Sequence, residues 1–121
     1  MTGTSTTAPR VLVVEDEYLI RMLLEEMLDE LGYGVAAAVG TISEARKLAT
    51  DGEFSAAILD VNLDRHAIYP VADILAKRGL PFVFVTGYGE RSLPEAYRGR
   101  PALQKPFQAE QLKNTLAGLF A

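Results

Sequence analysis

Four short apolar runs in this 121-residue chain each end on a side chain able to do chemistry. Glu15, Asp16 and Glu17 follow Val11-Leu12-Val13-Val14, Asp60 follows Ala56-Ala57-Ile58-Leu59, Thr86 follows Phe82-Val83-Phe84-Val85, and Lys105 follows Ala102-Leu103-Gln104. Like carboxylates ~4 Å apart repel by about 4 kcal/mol at an effective dielectric near 20. A cluster of Glu15, Asp16 and Asp60 must therefore be protonated, paired with a base, or bound to a cation. An all-oxygen set with one or two carboxylates suits Mg²⁺, which keeps part of its water and binds beside phosphates. Thr86 and Lys105 supply a hydroxyl and an ammonium for phosphoryl oxygens, and a carboxylate can itself accept a phosphoryl group. Phosphoryl transfer asks mainly for positioning, Mg²⁺ and neutralising cations. Each residue alone has a plainer reading. Acidic residues after a strand can simply face the positive end of the next helix, a threonine before Gly87 can be a turn residue, and a lysine can be a surface charge. The conjunction is what points to phosphoryl chemistry.

The elements that must position these groups alternate regularly. The β-branched run 11–14 reads as a strand buried on both faces. A helix is predicted over residues 18–31, with Leu19, Ile20, Leu23, Leu24, Met27, Leu28 and Leu31 as its core stripe and Gly32 as its stop. An Ala-rich strand covers 34–39, and Thr41-Ile42-Ser43-Glu44 resembles a capping box opening a helix to about 49. Strands at 56–59, 82–85 and 102–104 alternate with helices at 69–77 and 109–119, and with a short one over 92–98. This βα order, repeated five times, predicts a doubly wound α/β fold, (βα)5 and flavodoxin-like, with a central five-stranded parallel sheet. Parallel strands require right-handed crossovers, so helices cover both faces. Sites in such sheets form outside the carboxyl ends of the strands, where Glu15, Asp16, Asp60, Thr86 and Lys105 all fall.

Composition narrows the chemistry. At 49% hydrophobic and 23% charged the chain is globular. Residues 1–9 read as a flexible tail and 10–121 as one domain. The absence of cysteine excludes disulfides, thiolate metal sites and thiol nucleophiles, and the single histidine, His66, makes imidazole-based zinc or triad chemistry unpromising. A net charge of −4 argues against a nucleic-acid partner. No apolar run reaches the ~20 residues of a membrane span and no signal segment is visible, so the expectation is a cytoplasmic protein without a membrane partner.

Val-Leu-Val-Val-Glu15-Asp16-Glu17, Ala-Ile-Leu-Asp60-Val-Asn62, Thr86-Gly87 and Lys105-Pro106-Phe107 together resemble the receiver domain of bacterial two-component response regulators over residues 10–120. That resemblance implies Asp60 as phosphoacceptor, Asp16 as a direct Mg²⁺ ligand, Glu15 as a ligand through water and Asn62 as a ligand through its backbone carbonyl. Asp60 itself would share the metal, and Thr86 and Lys105 would bind the phosphoryl oxygens. The Lys105-Pro106 pair implies a cis peptide. Pro81-Phe82-Val83-Phe84-Val85-Thr86-Gly87-Tyr88-Gly89 looks like the motif of the FATGUY subgroup, with Val85 in place of the usual alanine. Receivers ordinarily carry an aromatic switch residue three positions before the lysine, where this chain has Ala102. The 19 residues from Thr86 to Lys105 are a few short of the ordinary spacing, so the fourth helix is expected to be shortened or irregular. Switching is then expected in the 86–101 segment, through Thr86, Gly87 and Tyr88.

The implied partners are a sensor histidine kinase, of the HWE class by the subgroup resemblance, and a downstream protein or phosphotransfer partner. The resemblance makes the chain a signalling phosphoacceptor with self-catalysed phosphorylation and dephosphorylation rather than a metabolic enzyme. Two other readings fit less well. A receiver acting purely by contact has no use for the intact acidic pair, Asp60, Thr86 and Lys105. An aspartate-nucleophile phosphohydrolase would want a second aspartate where Asn62 stands. Asp64, Arg65 and His66 read as loop residues, and Tyr88 and Tyr97 as an aromatic surface open to a partner.

Overall fold

The computed structural model describes residues 8–63, 66–87 and 93–120, apart from the side chains of Asn62 and His66. Tyr88, Asp64, Arg65 and most of the 1–9 tail lie outside the described residues, as does the side chain of His66. In chain order the elements are β1 (Arg10–Val14), α1 (Tyr18–Glu30), β2 (Gly34–Val39), α2 (Ile42–Asp51), β3 (Ala56–Asp60), β4 (Asn62–Leu63), β5 (His66–Ala67), α3 (Tyr69–Lys77), β6 (Phe82–Thr86), a 3-10 turn (Glu95–Tyr97), β7 (Ala102–Gln104) and α4 (Ala109–Leu119).

Five of the strands form one sheet in the order β2-β1-β3-β6-β7, and every pairing in it is parallel. Alternate side chains of each strand enter opposite layers. Val11 and Val13 of β1 join Ile58, Val83 and Val85 against Leu24 and Leu28 of α1 and Leu112 and Leu116 of α4. Leu12 and Val14 join Ala57, Leu59, Phe82 and Phe84 against Ala45 and Ala49 of α2 and Val71, Ala72 and Leu75 of α3. Burial on both faces explains why these strands read as unbroken apolar runs. The chain leaves β1 toward β2 and returns past it to β3, so the switch point of the topology lies at β1 and β3.

Helix ends follow their sequence signals. The Thr41 hydroxyl accepts from the Glu44 amide at 3.2 Å and donates to the Glu44 carboxylate at 2.9 Å. On α4 the Gln108 amide donates to Gln111 Oε1 at 2.7 Å. Gly32 (φ +91°) and Gly79 (φ +72°) take the left-handed conformation that ends α1 and α3.

The shortened, irregular fourth helix expected over 92–98 is, among the described residues, the 3-10 turn Glu95–Tyr97 that follows Pro94, in line with the short Thr86–Lys105 spacing. Three expectations need correction. Leu19 and Leu23 are not core: they are 77% and 47% exposed, beside exposed Tyr18 and Met22. The sheet covers only Leu24, Leu28 and the partly buried Ile20, Met27 and Leu31, because one helix face is all a flat layer can bury. Tyr97 is buried rather than open, stacked on Tyr69 at 5.5 Å and set edge-on to Phe84 at 5.3 Å. Residues read as loop after Asp60 include a two-stranded antiparallel hairpin, β4 with β5, anchored by buried Leu63 and Ile68. No helix among the described residues is long and apolar enough to cross a membrane.

Candidate phosphoryl-transfer site

The carboxyl ends of β1, β3 and β6 and the residue after β7 converge, as parallel packing requires. Glu15, directly after β1, is 1% exposed; Asp60, the last residue of β3, is 6% exposed; Thr86, the last of β6, is 2% exposed. Asp16 is more open than either. Carboxylate oxygens of Glu15, Asp16 and Asp60 lie within 4.8 Å of one another.

Glu15 is held from all sides. Its amide donates to the Val39 carbonyl at 3.0 Å, its carbonyl accepts from Arg21 Nη1 at 3.1 Å, and its Oε2 accepts from the Glu17 amide at 3.1 Å. Its other oxygen, Oε1, is buried and faces the Lys105 ammonium at 2.9 Å, in an ion pair whose alignment is not that of a hydrogen bond. Lys105 Nζ also lies 3.7 Å from Asp60 Oδ2. The lysine is delivered by the sheet itself: its amide donates to the Thr86 carbonyl at 2.8 Å, extending the β6–β7 ladder by one residue. The Lys105–Pro106 peptide is cis. Burial works against the Lys105 charge. The Glu15 carboxylate beside it, with the fields of Asp60, Glu15 and Glu17, outweighs that cost and raises its pKa above the ordinary lysine value.

Glu15, Asp16 and Asp60 thus gather three carboxylates beside the Lys105 ammonium, two of them buried. Buried like charges are tolerated when a cation joins them, and oxygen-only donors of this kind match a hard divalent ion such as Mg²⁺. The residues present therefore fit that metal. Asn62, in register with Ala67 at the start of β4, brings its backbone to the edge of the same strand end.

All five side chains expected from the sequence, Glu15, Asp16, Asp60, Thr86 and Lys105, sit at this one edge of the sheet. Gly87 follows Thr86 and is exposed. Ala102 packs, half-buried, on the cluster that holds Phe84 and Tyr97. The sequence reading missed Arg21. The signal was available, since it is the one charged residue in the apolar stretch Tyr18–Leu24.

Comparison with known proteins agrees with this geometry. Residues 11–117 match the family described as "Response regulator receiver domain". The transcriptional regulatory protein PdtaR of Mycobacterium tuberculosis is 40% identical over 121 residues, covering 93% of this chain, which spans 59% of that protein's length. The solution structure of SdrG from Sphingomonas melonis Fr1 superposes with a TM-score of 0.83 at 43% identity, covering 94% of this chain and 98% of the other. The receiver domain of a Pseudomonas aeruginosa PAO1 sensor histidine kinase superposes with a TM-score of 0.79 at 25% identity, covering 93% of this chain and 98% of the other; its structure contains a magnesium ion coordinated in the active-site cleft.

Proposed function

The chain belongs to the response regulator receiver domain family, the phosphate-accepting modules of two-component signalling, and from that premise we propose that Asp60 is its phosphoacceptor. The observation that carries this is the place of Asp60: a nearly buried carboxylate at a strand end, 3.7 Å from Lys105 Nζ and within 4.8 Å of the Glu15 and Asp16 oxygens.

The donor is the phosphohistidine of a sensor kinase. One Asp60 oxygen forms the new P–O bond while the P–N bond of the donor breaks, and the electron pair leaves on the ring nitrogen. Lys105 binds a phosphoryl oxygen and exchanges part of its pairing with Glu15 and Asp60 for that contact. The Thr86 hydroxyl takes a second oxygen. Asp16, Asp60, the Asn62 carbonyl and, through water, Glu15 would hold Mg²⁺. When bound, Mg²⁺ supplies the positive charge that offsets the anionic cluster and the incoming phosphoryl group.

The stretch 81–89 supports membership of the FATGUY subgroup, and with it a kinase of the HWE class in the cytoplasm. Ala102 leaves the ordinary aromatic switch position without a ring, so the response runs through the 86–101 segment, with Thr86 and Gly87 at its start and Tyr88 beside them. The phosphorylated form then engages a downstream protein or phosphotransfer partner.

Incubation of the protein with acetyl phosphate and Mg²⁺, read by intact mass, tests the acceptor. One hydroxylamine-labile phosphoryl group on the parent and none on Asp60→Asn is the expected result. A stable adduct that persists in Asp60→Asn would overturn the assignment.

A further inference from the structure

The Glu15–Asp16 peptide is where the acidic pair is aimed, and it is held by a residue of α1 that is not among the phosphoryl-binding side chains. Arg21 lies on α1, and its Nη1 reaches back to the Glu15 carbonyl at 3.1 Å. The same guanidinium lies 5.7 Å from the centre of the exposed Tyr18 ring, a weak cation–π contact. Its path crosses Gly40, just after β2. A Cβ at position 40 would overlap Arg21 Nη1, while it would stand 3.5 Å from the Glu15 carbonyl oxygen and 3.6 Å from Asp16 Cα, which are ordinary contacts. A side chain at position 40 is thus accommodated by the backbone around it and displaces only the end of the arginine. Gly40 is not in the left-handed region, so its φ gives glycine no advantage there. What the missing Cβ provides is passage for the guanidinium.

We infer that Arg21 and Gly40 form a positioning pair that sets the Mg²⁺-binding geometry of Glu15 and Asp16. This deepens the reading of the site as a metal-dependent phosphoacceptor and rests on it. The peptide group is planar, so fixing the Glu15 carbonyl fixes the direction in which Asp16 leaves the strand. The Glu15 amide is already fixed by Val39 on β2. With the carbonyl free, the turn between β1 and α1 can rotate about the remaining bonds and the Asp16 carboxylate loses its registry with Asp60. Groups that orient metal ligands without touching the metal commonly matter tenfold or more in affinity.

Charge and position make opposite predictions, which allows a clean test. If Arg21 acted only as a nearby positive charge, removing it would tighten Mg²⁺ binding, and displacing it a little would do nothing. If it acts as a clamp, both changes weaken binding. Mg²⁺ alone is titrated by calorimetry into the parent, Arg21→Met, Gly40→Ala and the double variant, with thermal unfolding in chelator measured alongside. The expected result is a dissociation constant raised about tenfold in each single variant, and a double variant no weaker than the worse single one. The affinity loss should not follow the order of the unfolding temperatures. Binding as tight as the parent's in Arg21→Met or in Gly40→Ala, or full multiplication of the two effects in the double variant, would overturn the inference while leaving the metal site in place. Absence of Mg²⁺ binding in the parent would overturn the site reading itself. If Arg21→Met does not fold, Gly40→Ala, which keeps every charge, decides alone.

Discussion

Lys105→Met should destabilise the protein and at the same time tighten its hold on Mg²⁺. The ammonium lies 2.9 Å from Glu15 Oε1 and 3.7 Å from Asp60 Oδ2, within ion-pair distance of both carboxylates. Unit charges ~4 Å apart interact by about 4 kcal/mol at an effective dielectric near 20. Removing one partner of a fully buried pair costs about 3–5 kcal/mol, since the other is left without compensation. The lysine side chain is 23% exposed, so water replaces part of the interaction and a loss of about 2–3 kcal/mol is expected. In a domain of this size that lowers the unfolding temperature by roughly 10 °C. The same substitution removes one positive charge beside three carboxylates, and a tenfold gain in Mg²⁺ affinity corresponds to about 1.4 kcal/mol. Urea and thermal unfolding with and without Mg²⁺ read both effects: a larger Mg²⁺-induced rise in the variant than in the parent, and little phosphorylation in either condition. The parent carries an alkaline signature as well. Because the folded pKa of Lys105 is raised, its contribution is fully present below the ordinary lysine value and is lost only as pH rises through the raised one. The parent should lose this increment above about pH 10.4, and Lys105→Met should lack it. A variant as stable as the parent at neutral pH, with unchanged Mg²⁺ affinity, would refute the assignment of Lys105 as counterion of the cluster.

Two further predictions concern the layers around the site. Leu19→Ser should change stability by no more than about 0.5 kcal/mol in urea unfolding, because Leu19 is 77% exposed. Leu24→Ala, five residues on and buried, should cost about 2–5 kcal/mol, and equal losses in the two variants would contradict the assignment of α1's faces. Tyr97→Phe removes the hydroxyl that donates to Asp73 of α3 and keeps the ring stacked on Tyr69. A loss of about 1 kcal/mol is expected, against about 3–5 kcal/mol for Tyr97→Ala, which empties a place in the aromatic cluster. A Tyr97→Phe loss as large as that of Tyr97→Ala would move the stabilising role from the ring to the hydroxyl.

Parts of this molecule are legible in the sequence because few alternatives compete with them. Val11–Val14 and Phe82–Val85 are short, β-branched and aromatic, and apolar on both alternations, as suits a strand covered on two faces, and helices between such strands make them parallel. Once the strands are parallel, their carboxyl ends share one edge, so Asp16, Asp60, Thr86 and Lys105 meet without any long-range contact having to be guessed. What the sequence conceals is whatever depends on such contacts. The apolar residues of α1 outnumber the positions one face can bury, and nothing local says that Leu24 and Leu28 go inward while Leu19 and Leu23 stay out. The β4–β5 hairpin pairs two residues with two, too few for any period to show. Tyr97 is an isolated aromatic in a segment with proline on one side and glycine on the other, and only its stacking on Tyr69 across the α3 side of the sheet makes it core. Arg21 and Gly40 are nineteen positions apart and meet only because β1 and β2 are neighbours in the sheet. The residues that carry charge to the reacting edge are thus fixed by topology, and those that aim them are fixed by packing. The first kind can be read from where strands stop. The second requires the structure, and it is there that substitutions distant from the phosphoryl group should still alter how the site binds its metal.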